Sequence, residues 1–219
     1  KMSMSKNIAR LAVTAGLTAA LSFGGVMAPV TMAFADGTPT VAPDGNVKID
    51  EKTYTDTTFK GIQIFKAKVT QDLEGVNNWN GAKTLSDIEW ASDVVRDAVI
   101  GAADTNDVTK PSGNDAQKWA DWLKDKTEGE YKSGTDKTTK LDAGKTLDKI
   151  AKALEDANIT EGTDECKTSP NGTFTGLNTG YWLFVTKDVN TSTNQPKRDT
   201  DAFTSPIFAV VGGSAETIA

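Results

Sequence analysis

Apolar residues are arranged along this chain in three ways. Between Leu11 and Val30 they form an uncharged run, LAVTAGLTAALSFGGVMAPV, behind the basic residues Lys1, Lys6 and Arg10. Over residues 57–69, TTFKGIQIFKAKV, they fall on both sides of a period of two. Ile62, Ile64 and Lys66 share one face, and Phe65, Ala67 and Val69 the other, which predicts a central strand. Strand character starts earlier, near Val47 and Ile49, after a stretch over residues 36–45 (DGTPTVAPDG) that reads as a flexible leader.

The middle of the chain changes to helical spacing. Thr84-Leu85-Ser86-Asp87 reads as the cap of a short helix carrying Leu85 and Ile88. Ser92 caps a second, with Val95, Ala98 and Val99 inward. After a loop over residues 102–113, residues 114–126 predict an amphipathic helix on Ala116, Trp119, Ala120 and Leu123, its tryptophans serving as core anchors. A polar loop over residues 127–139 leads to a last helix over residues 141–158, with Leu147, Ile150, Ala151 and Leu154 on one face. Strands then return at 172–177 and, after the turn Asn178-Thr179-Gly180, at 181–189 (YWLFVTKDV), the most β-prone segment of the chain. A polar connection over 190–202 precedes a last strand at 205–211. The order β, helices, β predicts an α+β fold: an antiparallel β-sandwich-like domain with a large helical insertion, about residues 84–158, between early and late strands.

The first apolar run has the layout of a secretory signal peptide over residues 1–35. Gly, Ser, Thr and Pro interrupt it, which argues against a membrane anchor. Small residues at Ala33 and Ala35 precede Asp36, the first acid, so cleavage is expected between Ala35 and Asp36. Residues 46–219 then form one domain that works outside the cytoplasmic membrane. The chain carries 24 basic and 30 acidic residues, a net charge of −6. Three of the basic residues and none of the acids lie in the signal peptide, so the remainder is more acidic still. Such a surface repels nucleic acid and anionic membranes.

The absence of histidine removes Ser-His-Asp and Cys-His nucleophile pairs and the usual zinc sites. The single cysteine, Cys166, has no internal disulfide partner and reads as a surface thiol in a polar loop. Asp104-x-Asn106-Asp107 has only a fragment of a calcium loop, without the central Gly or closing Glu, and reads as a solvated loop. No cofactor, no metal and no catalytic residue is expected. A glycosidase working through paired carboxylates is the enzyme class that the composition leaves open, and no pair of acids is placed for it.

Four segments in order, TFKGIQIFKA (58–67), TLSDIEWA (84–91), GLNTGYWLFVT (176–186) and TSPIFAVVGG (204–213), resemble the N-terminal domain of isopeptide-forming fimbrial proteins. These are the sortase-assembled pilins of Gram-positive bacteria. The resemblance implies a non-enzymatic structural subunit of a surface pilus, secreted and then held at the cell wall. A class C-type sortase would join it covalently to neighbouring pilin subunits, and the pilus would contribute to adhesion to a host or matrix ligand. The alternative is an adhesin-type ligand-binding module of a cell-wall-anchored surface protein. The sequence departs from a complete pilin in lacking an LPxTG-like sorting signal, an apolar C-terminal segment with a basic tail, and a Tyr-Pro-Lys motif. The expectation is therefore the N-terminal portion of a longer protein. The resemblance also makes Lys66 the candidate lysine for an internal isopeptide bond. That bond needs an Asn or Asp on the last strand, and SPIFAVV has none, so the bond is expected to be absent.

Overall fold

The computed structural model describes residues 37–49, 58–131, 146–187, 189–190, 195–196 and 207–218. The expected signal peptide, its cleavage position at Ala35–Asp36 and the polar stretches 132–139 and 197–202 lie outside the described residues. The strands are β1 (Thr38–Val41), β2 (Gly45–Ile49), β3 (Phe59–Glu74) and β4 (Asn78–Trp90). Three helices come next in the chain: α1 (Asp93–Ala102), α2 (Ala116–Tyr131) and α3 (Thr146–Asp156). The strands β5 (Cys166–Ser169), β6 (Thr173–Leu177), β7 (Gly180–Thr186), β8 (Val189–Asn190), β9 (Gln195–Pro196), β10 (Ile207–Val211) and β11 (Glu216–Ile218) complete the order.

β3 organises the molecule because it is long. Its 16 residues span about 50 Å at the usual rise per residue, enough for two partners in succession along each edge. β5 and β7 flank its beginning, with Ile62 opposite Cys166 and Leu183. β1 and β4 flank its end, with Asp72 opposite Pro39 and Asn80. β10 adds to β7 to complete a six-stranded sheet, antiparallel at every pairing. A second sheet has the order β11-β2-β6, with β11 parallel to β2, and β8 pairs with β9.

One apolar cluster joins both sheets and the helices. Every residue of β7 is buried, as its β-branched and aromatic sequence implies for a strand covered on both faces. The Phe184 ring lies 5.1 Å from Phe174 of β6, and Tyr181 lies 6.0 Å from Phe208 of β10. A second aromatic chain reaches the helices: Phe65 to Trp90 at 4.7 Å, Trp90 to Trp119 at 6.2 Å, and Trp119 to Trp122 at 5.2 Å. Each ring of this size contributes roughly 1.5–3 kcal/mol by leaving water.

The helices follow their sequence signals. The Ser92 side chain accepts a hydrogen bond from the Val95 N–H and starts α1, and Val95 and Val99 are buried. Asp115 accepts from the Lys118 N–H at the start of α2. Leu147, Ile150, Ala151 and Leu154 form the buried face of α3.

Six expectations are corrected. Thr84-Leu85-Ser86-Asp87 is strand, not helix: Thr84, Leu85 and Ser86 pair with Thr70, Val69 and Lys68. Long-range pairing with β3 overrides the local cap pattern, and Asp87 marks a bulge with φ of 52°. The supposed flexible leader contains β1, which docks on the end of β3. Pro39 is tolerated there because an edge strand does not need every N–H. β11 follows Gly212-Gly213, where the reading placed the last strand earlier. α2 continues to Tyr131 into the stretch read as loop, and Asn190 and β9, in the supposed polar connection, take part in the antiparallel pairing of β8 with β9. Cys166 is not a surface thiol; it is fully buried at the start of β5, opposite Ile62.

Candidate functional site

Among the described residues, three places where charged side chains meet defined geometry are built on β3 or its neighbours. The first surrounds Lys66. Beyond Ile64 its face of β3 leaves the apolar core, so Lys66 and Lys68 project outward. The Lys66 ammonium sits 3.0 Å from Glu165, and its side chain remains 45% exposed. Lys68 pairs with Asp87 at 2.9 Å, and that hydrogen bond raises the lysine above its ordinary pKa. The bulge between Lys66 and Lys68 opens the ladder here. The result is a shallow groove of about 680 Å³, lined by Pro43, both lysines, Asp87, Ile88, Glu89, Asn178 and Thr179. Isopeptide chemistry needs a buried neutral amine beside an Asn or Asp carbonyl. Lys66 instead offers a solvated, ion-paired ammonium.

The second place was not found in the sequence. Lys83 of β4 turns inward, its side chain only 6% exposed. It donates to the Glu216 carboxylate at 2.8 Å and to the Ser214 carbonyl at 2.9 Å. Gln71 of β3, also buried, donates through Nε2 to Ser214 Oγ at 3.0 Å and to the Gly81 carbonyl at 2.9 Å, and accepts from the Ser214 N–H at 2.8 Å. A buried ion pair of this kind is not by itself strongly stabilising, but removing one partner costs about 3–5 kcal/mol because the other is left uncompensated. The Gly212-Gly213 pair was the available signal. Both have positive φ, and Gly213 packs on the Gln71 amide.

The third lies where α3 meets the start of β3. Lys187 pairs with Glu161 at 2.9 Å, and Lys60 lies 3.9 Å from the same carboxylate. Glu155 of α3 is pushed up to about 7 by burial, which the nearby Lys60 only partly offsets. Burial also raises the Cys166 thiol, which makes it a poor nucleophile.

The acidic loop read as a fragment of a calcium site is closed on itself. Asp104 accepts from the Asn106 N–H at 2.9 Å. Asp107 pairs with Lys126 and accepts from the Thr109 N–H and hydroxyl, contacts that hold its carboxyl down at about 2. Among the described residues no group of three or more Cys, Asp or Glu side chains gathers as a metal site, and no helix is long and apolar enough to cross a membrane. The chain matches no protein-family model, no curated protein and no solved structure in these comparisons.

Proposed function

We propose that this chain is the N-terminal domain of a structural subunit of a surface pilus, joined covalently by a class C-type sortase to neighbouring pilin subunits. One observation carries the reading. The four segments that bear the resemblance are far apart in sequence, yet they occupy neighbouring strands of one sheet. TLSDIEWA lies in β4, TFKGIQIFKA in β3, GLNTGYWLFVT ends in β7 and TSPIFAVVGG holds β10, with β4 on β3, β3 on β7 and β7 on β10. Segments that share a sheet are constrained together, so their common likeness to one domain type is worth more than four separate matches. In this reading the three helices between β4 and β5 are an insertion in a sandwich-like pilin domain. The protein is secreted by its leader, is held at the cell wall and has no enzymatic activity of its own.

The lysine that the sortase joins is placed outside residues 36–219. Within them no lysine stands in a Tyr-Pro-Lys context, Lys83 is buried, and Lys66 and Lys68 are held in ion pairs. The test is lysine replacement in the native host, read as high-molecular-weight ladders on denaturing gels. Ladders that persist when lysines within 36–219 are replaced agree with the proposal. Loss of the ladder on changing one of those lysines overturns the acceptor assignment, and a native protein that forms no ladder overturns the pilus subunit itself. The groove beside Lys66 and Glu89 favours the adhesin-type module as the second reading, and binding of a host or matrix ligand lost on Glu89→Lys would support it.

A further inference from the structure

The geometry points to a shear clamp between β2 and β11, a device that resists tension applied along the chain. β2 lies near the beginning of the described domain and β11 near its end, and they run parallel, with Glu216 opposite Val47 and Ile218 opposite Ile49. In a parallel pair the N-terminal end of one strand and the C-terminal end of the other lie at opposite ends of the ladder. Pulling on the chain before β2 and after β11 therefore slides the strands past each other. The ladder bonds share the force and break together, instead of opening one at a time.

The entry to β11 is anchored independently of this ladder. Gly213 donates to the Asp44 carbonyl at 3.1 Å, just before β2. Gln71 holds both the N–H and the hydroxyl of Ser214, and Lys83 holds the Ser214 carbonyl and the Glu216 carboxylate. Gln71 and Lys83 belong to the β3–β4 hairpin of the other sheet. Sliding β11 along β2 thus also requires extracting two buried polar side-chain contacts from the larger sheet. No catalytic or ligand-binding role is needed to explain why a lysine is buried there. Its use in a fibre under tension rests on the pilus reading above; the clamp itself rests on strand direction.

Single-molecule pulling on the full chain tests this. One set of handles is attached at the two chain ends. The other joins Ala219 to a cysteine introduced by Lys48→Cys, an exposed position near the C-terminal end of β2 and opposite Thr217. The second arrangement pulls both strands from the same end and opens the ladder bond by bond. The end-to-end geometry should require more force at the same loading rate, and Glu216→Gln or Lys83→Met should lower that force. Equal forces in the two geometries would overturn the clamp without the need for any destabilised variant. An end-to-end force unchanged in both Glu216→Gln and Lys83→Met would overturn the anchoring role. A clamp in a protein that forms no ladder in its host keeps this inference and removes the fibre reading; a ladder-forming protein without directional resistance does the reverse.

Discussion

Gly180 shows how much a single position constrains this fold. Its φ is 147°, and a Cβ there would run into the Phe65 carbonyl, because the turn before β7 passes directly against β3. Ala67 donates to the Thr179 carbonyl at 3.2 Å, and the Thr179 hydroxyl donates to the Ala67 carbonyl at 2.6 Å, so the turn has little freedom to move away. Gly180→Ala should destabilise the protein by about 2–4 kcal/mol, measured by denaturant unfolding. A loss under 1 kcal/mol would contradict the close approach. Glu155 gives a pH prediction. Its folded pKa of about 7 stands above the ordinary 4.5 because burial disfavours the carboxylate. The folded state then binds more protons than the unfolded state between pH 4.5 and 7. Stability therefore falls as pH rises through that window, by at most about 3 kcal/mol. Glu155→Gln should flatten the dependence there; an unchanged slope of melting temperature against pH would refute the assignment. The facing groups are Lys60 on β3 and, on α3 itself, Asp148, Lys152 and Asp156, so Lys60→Met should steepen the dependence.

At the level of elements, the helices were the most legible part of the chain. The spacing of Leu147, Ile150, Ala151 and Leu154 is a local property, and the local cap Ser92 marks the start of α1. Ser92→Ala should cost about 1 kcal/mol by leaving the Val95 N–H without its acceptor; a neutral change in thermal unfolding would argue against the cap. Strands whose own sequence is strongly β-prone, such as Tyr181–Thr186, were equally plain. What could not be read were elements that exist only because a distant partner is present. Thr84–Ser86 is polar and carries a helix-cap pattern, and it becomes strand because Thr70, Val69 and Lys68 lie beside it. β1 and β11 are three or four residues long, too short for any periodicity. The same applies to the sites. The resemblance points to Lys66 by its place in the matching strand, but its partner Glu165 lies in a loop 99 positions further on. Lys83 was missed because nothing near it in sequence announces that Ser214 and Glu216 will cover it.

On the scale of the whole molecule, the long middle strand makes one cooperative unit of early and late pieces of the described chain. The two sheets and the helix layer share a single apolar cluster, so unfolding monitored by tryptophan fluorescence and by circular dichroism should give coincident transitions. Two separated transitions would mean that the helices form a unit of their own. The single cysteine rules out an internal disulfide, and the exposed, ion-paired state of Lys66 argues against an isopeptide bond at that lysine. Intact-mass measurement should give the full mass calculated from the sequence of the purified protein; a deficit of one ammonia or one water mapped to Lys66 would contradict this.

The burial of Cys166 has a practical consequence. It is the only thiol in the sequence, and it is buried in the core beside β3. A maleimide or fluorophore added under native conditions will therefore spare it and modify any cysteine placed on the surface. Spectroscopic labels can be introduced one position at a time without first deleting the natural residue. Under mild destabilisation, the slow appearance of label at Cys166 becomes an internal clock for how often β5 parts from β3.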